Sequence, residues 1–161
     1  MANAYQARLD YSRNDIQAIQ AWVEDSGLLH TSCEHEFERF PECLPLIRFL
    51  LIQNKAEMAL ELIEKLYKRD SQVGRLGSVC YVIALKVLAH WQMNETEKAR
   101  LAFNALYEIA APEKWVRLFL EDKEIMLPFL KRMPVSPERD HFLKALGETI
   151  VENKSIPDQS I

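Results

Sequence analysis

A chain of 161 residues is a prior for one domain, long enough to bury a real core. Hydrophobic residues make up 48% and charged ones 27%, as in an ordinary globular protein; with only 4 Gly and no sustained strand-type alternation, an all-α chain is favoured. The net charge of −4, with Lys and Arg scattered rather than blocked, argues against a nucleic-acid surface.

Met1 to Asp10 carries no apolar run, so no secretory leader is expected. The longest apolar run, Ser78 to Trp91, is broken by Lys86 and falls short of the roughly 18 residues of a membrane span. The three cysteines, Cys33, Cys43 and Cys80, form an odd set, and Cys80 sits in an apolar helix where a buried thiol is the ordinary state. A cytoplasmic location fits best.

In chain order, the first segment runs from Asn3 to Asp25. Ala4, Ala7 and Tyr11 share one helical face, the chain turns at Arg13-Asn14-Asp15, and Ile16, Ile19, Trp22 and Val23 form a second stripe. Ser26-Gly27 stops that helix, since Gly takes the left-handed position past a helix end cheaply. Residues 28–40, LLHTSCEHEFERF, read as a polar connector. The next helix starts near Pro41, because Pro suits a first turn, and runs to Ile52 with Leu46, Ile47, Leu50 and Leu51 in the core.

After a turn at Gln53-Asn54-Lys55, a helix from Ala56 to about Asp70 places Ala59, Leu62, Ile63, Leu66 and Tyr67 on one face. Gly74 to Gly77 punctuates the chain. Ser78 to Gln92 is apolar nearly all round, which predicts a helix lying between other layers. Its partner, Thr96 to Ala110, buries Ala99, Ala102, Phe103, Leu106 and Ile109 or Ala110. A short helix over Asp122–Arg132, a break at Pro134 and Pro137, and a last helix over about Ser136–Asn153 complete the domain, 1–153; residues 154–161 are expected to be a disordered tail.

The three turn asparagines, Asn14, Asn54 and Asn94, are spaced by 40 residues. Each is followed by a small residue, Ala18, Ala59 or Ala99, and four positions later by a large one, Trp22, Ile63 or Phe103. A small side chain lets two helices approach, and a large one a turn later fills the gap toward the next pair. This is the packing logic of stacked helix hairpins. The expected fold is a tetratricopeptide-like right-handed superhelix, an α-solenoid of about three hairpins plus C-terminal helices. Its period exceeds the 34 residues of the standard repeat, so the helices or the connectors between pairs are longer than usual.

The stretches YQARLDYSRNDIQAIQAWVEDSGL, LLIQNKAEMALELIEKLYKRDSQVGRLGSVCYVIALKVLAHWQMNETEKA and EKWVRLFLEDKEIMLPFLKRM resemble the sensor region of large bacterial LuxR-type, MalT-like transcriptional regulators. The resemblance runs from Tyr5 to about Ile150, and WVRLFLED (Trp115 to Asp122) is its most specific element. It implies a signal-activated transcription factor with an N-terminal NTPase module, a helical-repeat sensor and a C-terminal helix-turn-helix that binds DNA. This chain departs from that plan at both ends. The four glycines, Gly27, Gly74, Gly77 and Gly147, permit no G-x-x-x-x-G-K-[ST], and the part after Asn153 is too short for a DNA-binding module. The chain is therefore expected neither to hydrolyse nucleotide nor to read DNA itself. It would be the C-terminal part of the sensor region, with the NTPase and helix-turn-helix domains as partners if it is a fragment. A stand-alone tetratricopeptide-type scaffold that binds a protein partner is the alternative.

His30, Cys33, His35 and Cys43 could ligate zinc, but C-x-H is too tight for the usual clip and Glu34 and Glu36 make the loop acidic, so no metal or cofactor is expected. No G-x-S-x-G or H-E-x-x-H occurs, and acidic residues alternate with Lys and Arg as on a solvated face, so no enzyme is expected. The concave positions of such an array, counted back from the three alanines, are Asp10, Tyr11, Arg48, Tyr81, Trp91 and Gln92. Aromatics with a few polar groups suit a sugar, another small effector or a protein segment. The competing expectation is that Tyr81 and Trp91 are core and Arg48 is solvated. Arg117 is expected to pair with Glu121 or Asp122, or to cap the final hairpin.

Overall fold

A computed structural model describes residues 4–13, 15–27, 40–109 and 123–154. Asn14, the connector with His30, Cys33 and His35, Ala110, the WVRLFLED segment with Arg117, and the tail beyond Lys154 lie outside the described residues. The described chain is helical throughout, without a strand: α1 (Ala4–Ser12), α2 (Ile16–Ser26), α3 (Phe40–Ile52), α4 (Ala56–Gln72), α5 (Leu76–Gln92), α6 (Thr96–Ile109), α7 (Lys123–Arg132) and α8 (Pro137–Lys154). Each helix packs on its neighbour within the pairs α1–α2, α3–α4, α5–α6 and α7–α8. The first helices of successive pairs also touch in series, α1 on α3, α3 on α5 and α5 on α7. The result is a helical-hairpin array of the tetratricopeptide type.

The joints explain its regularity. Asn54, Gly74 and Asn94 have φ of 55°, 71° and 59°, and each is 20 residues from the next. The N–H of the following residue reaches five positions back: Lys55 to Leu50, Arg75 to Asp70 and Glu95 to His90, each at 2.9 Å. The left-handed residue itself bonds three back, to Leu51, Ser71 and Trp91. These paired bonds satisfy carbonyls that a helix end would otherwise orphan. Lys55, Arg75 and Glu95 then open the next helix, their carbonyls accepting from the N–H of Ala59, Val79 and Ala99. One residue thus closes one helix and starts another. Joints within a pair and between the second and third pairs are the same. Between Asn54 and Asn94 the 40-residue period therefore comes from long helices, 17 residues each in α4 and α5, and not from a long connector.

That register corrects one expectation. Asp15 accepts from Ile19 N–H just as Lys55 does from Ala59, so Ile19 and not Ala18 is the counterpart of Ala59 and Ala99. Ile19, Ala59 and Ala99 are all buried, whereas Ala18 is half-buried and its N–H goes to the Asp15 carboxylate at 3.1 Å. The first hairpin carries a large residue at the close contact.

α5 is the centre. Val79, Val82, Ile83, Leu85, Val87 and Leu88 are all buried, as its apolar circumference demands, between α3, α4, α6 and α7. It begins at Leu76, so Gly77 lies inside the helix rather than before it. Pro45 is the sixth residue of α3, deeper than a first turn; placed there it removes one hydrogen bond near the helix start. The amphipathic partners show the expected stripe with two departures: Tyr67 is 37% and Ile109 41% exposed. Beyond α6, Phe103 meets the rings of Phe129 and Phe142 edge-on at 6.0 and 4.9 Å, which ties α7 and α8 to the third hairpin. Among the described residues no helix is long and apolar enough to cross a membrane.

Candidate functional site

The helices α1 and α5 each bring an aromatic side chain at their C-terminal ends into contact with the next first helix, α3 and α7. Tyr11, at the end of α1, is half-buried with the Arg48 guanidinium of α3 lying 5.0 Å from its ring centre. Trp91, at the end of α5, repeats the arrangement two periods later. Its ring packs edge-on against Phe129 of α7 at 5.3 Å, and the Arg132 guanidinium stands 5.4 Å from its centre. A cation over an aromatic face is attracted by the ring quadrupole. The two pairs differ in access. Arg48 is only 4% exposed, whereas Arg132 is exposed and Trp91 is half-buried.

The six residues expected on this face are not all brought together. Tyr11 and Arg48 form one contact. Asp10 is half-buried, and its carboxylate accepts from the Gln6 amide at 2.8 Å. Gln92 follows Trp91 and is engaged elsewhere. Its Nε2 donates to the Leu51 carbonyl at 2.7 Å and to Asn54 Oδ1 at 3.2 Å, bracing the end of α5 against the α3–α4 joint. Tyr81 is half-buried and lies about 15 Å along α5 from Trp91, at 1.5 Å per residue.

A second set of polar groups was not singled out by sequence reasoning. A cleft of about 340 Å³ opens between α4, α5 and α6, lined by Tyr67, Ile83, Lys86, His90, Lys98, Leu101, Ala102 and Ala105. At its edge Glu95 Oε2 meets His90 Nδ1 at 2.7 Å, and Glu95 Oε1 accepts from Lys98 at 2.7 Å. The Lys98 hydrogen bond, then the one from His90, holds the Glu95 carboxyl below its ordinary range. Lys86 pairs with Glu64 and has its ammonium 5.8 Å from the Tyr67 ring centre. The available signal was Lys86, the residue that interrupts the apolar run of α5. His90, 5% exposed, carries a second polar group on the same helix.

Among the described residues no group of three or more His, Cys, Asp or Glu is placed to hold a metal. Cys43 and Cys80 are both buried thiols, and burial pushes the Cys80 thiol up, which keeps it in the unreactive protonated form. A family model described as the MalT-like TPR region matches residues 1–136. No curated protein and no solved structure matches the chain.

Proposed function

The chain belongs to the family of MalT-like TPR regions, and on that premise we propose that it is the signal-sensing, partner-binding region of a LuxR-type bacterial regulator. In this reading the hairpins wind as a right-handed superhelix in the cytoplasm. A small effector such as a sugar, or a protein segment, docks on the face made by the first helices. An NTPase module and a helix-turn-helix DNA-binding domain of the same regulator respond to it. The observation that carries the reading is the half-buried Trp91 ring, backed by Phe129 and flanked by the exposed Arg132 guanidinium. An aromatic face beside a hydrogen-bond donor is how proteins commonly hold a sugar ring or a flat effector.

The test is a thermal shift screen of sugars and metabolites, with Trp91→Ala and Arg132→Ala as controls. A cognate ligand stabilises the folded state by mass action, about 2.7 kcal/mol at a hundredfold excess over Kd. The expected result is a saturable rise in Tm that both substitutions abolish. A rise that persists in both variants places the ligand elsewhere and removes this face from the proposal.

A further inference from the structure

The cleft between α4, α5 and α6 gains its meaning from comparing the third hairpin with the second, 40 residues earlier. Lys86 and His90 of α5 stand where α3 has Leu46 and Leu50, both 4% exposed. Ala102 and Ala105 of α6 stand where α4 has Leu62 and Lys65. Of the three positions that carry leucine in the second hairpin, two hold polar side chains in the third, Lys86 and His90, and one is cut back to Ala102; at the fourth position Lys65 gives way to Ala105. The floor and wall remain apolar through Ile83, Ala102 and Leu101, the last 59% exposed although it lines the cleft. Tyr67, 37% exposed on α4, faces the same space.

We propose that this cleft is a binding site for a small amphipathic carboxylate, its anionic head between Lys86 and Lys98 and its apolar body against Leu101, Ala102 and the Tyr67 ring. Both ammonium groups already have partners, Glu64 and Glu95, whose side chains are 49% and 28% exposed. Exposed ion pairs contribute little and are easily re-paired. A bound carboxylate joins two such pairs in a partly enclosed space, where each charge-assisted hydrogen bond is stronger than in water. His90 adds a third group: with Nδ1 engaged by Glu95, its other nitrogen is a donor whenever the ring is protonated. The volume of about 340 Å³ suits a medium-chain or aryl-substituted acid and excludes a folded protein segment.

This site is separate from the first-helix face, because none of Tyr11, Arg48, Trp91 or Arg132 lines it. The experiment is titration calorimetry of the full chain with octanoate and 4-phenylbutyrate, and with octanol and 4-phenylbutanol as neutral counterparts. Saturable binding of at least one acid is expected, with at least tenfold weaker binding of its alcohol. Lys98→Gln is expected to weaken the acid at least tenfold. Ala102→Leu, which installs a leucine as at the corresponding position of α4, is expected to abolish binding while the protein keeps its melting transition. Trp91→Ala is expected to leave it unchanged. Should Ala102→Leu not fold, Lys98→Gln and the alcohols decide. The proposal is overturned if neither acid binds, if the alcohols bind as well as the acids, or if Trp91→Ala rather than Lys98→Gln removes binding; that last result would instead favour the first-helix face.

Discussion

At the position one turn into its second helix, the first hairpin carries Ile19 and the third carries Ala99, 1% and 0% exposed. Both residues donate the same backbone bond to the joint, Ile19 N–H to the Asp15 carbonyl and Ala99 N–H to the Glu95 carbonyl. The helices differ in length: 9 and 11 residues in the first hairpin, 17 and 14 in the third. A long pair has many contacts along its length and gains from a methyl-sized spacer that lets the backbones close. A short pair has few, and a branched wedge at the joint supplies apolar area that the missing turns do not. The joint fixes where the second helix begins; the side chain there fixes how the two helices meet.

The largest test of this contrast removes the filler beyond the spacer. Phe103→Ala takes a fully buried ring from between Phe129 and Phe142, and a loss of about 3–5 kcal/mol in urea unfolding is expected. Ile19→Ala imposes the third hairpin's spacer on the first, and about 2–4 kcal/mol is expected to be lost. A cost under about 1 kcal/mol would show that the wedge is dispensable and the contrast empty. The reverse exchange, Ala99→Ile, forces bulk into a 0% exposed contact and is expected to cost about 1–3 kcal/mol.

Smaller effects sharpen the role of the joints themselves. Gly74→Ala places a Cβ at φ 71° with open space around it, so only backbone strain acts, about 1 kcal/mol. Asn94→Gly at φ 59° is expected to be near neutral. Gln92→Ala removes the brace to the α3–α4 joint and is expected to cost about 0.5–1.5 kcal/mol, measured by the same unfolding curve.

The mildest test is acid. Glu95 and Glu97 have carboxyls held below the ordinary 4.5 by Lys98 and His90 and by Arg100 respectively. A group whose folded value is depressed contributes stability above its unfolded value and loses it as pH falls through the folded one. The contribution of these two carboxylates is therefore expected to be full above the unfolded carboxylate range and to decline as pH falls below it. Glu95→Gln is expected to flatten that decline in a pH series of melting curves. An identical acid profile in the variant would mean that the carboxylate contacts are too solvent-screened to count.

Most of the architecture was legible because the period was written in residue types with strong backbone preferences. Asn54 and Asn94 mark left-handed turns, and the nearly continuous apolar run of α5 announces a helix enclosed on all sides. The register of the first hairpin was not, since Ala18 stands one position from the true counterpart, Ile19, and a small residue nearby imitates the pattern. The candidate site was only partly readable. Tyr11 with Arg48 follows from stacking first helices, but Gln92 bracing a distant joint depends on a contact 41 residues away that no local pattern encodes. The α4–α6 cleft is written as departures from the repeat, Lys86, His90 and Ala102, which become visible only once the hairpins are aligned by structure.

Because Lys55 and Arg75 each end one helix and begin the next, the chain between helices has no slack. One extra residue taken up as helix at such a joint changes the register of everything after it. It would turn the whole following helix by about 100° and carry its buried stripe off the core. Between Asn54 and Asn94 the array is therefore expected to tolerate the gain or loss of a whole helix better than that of a single residue.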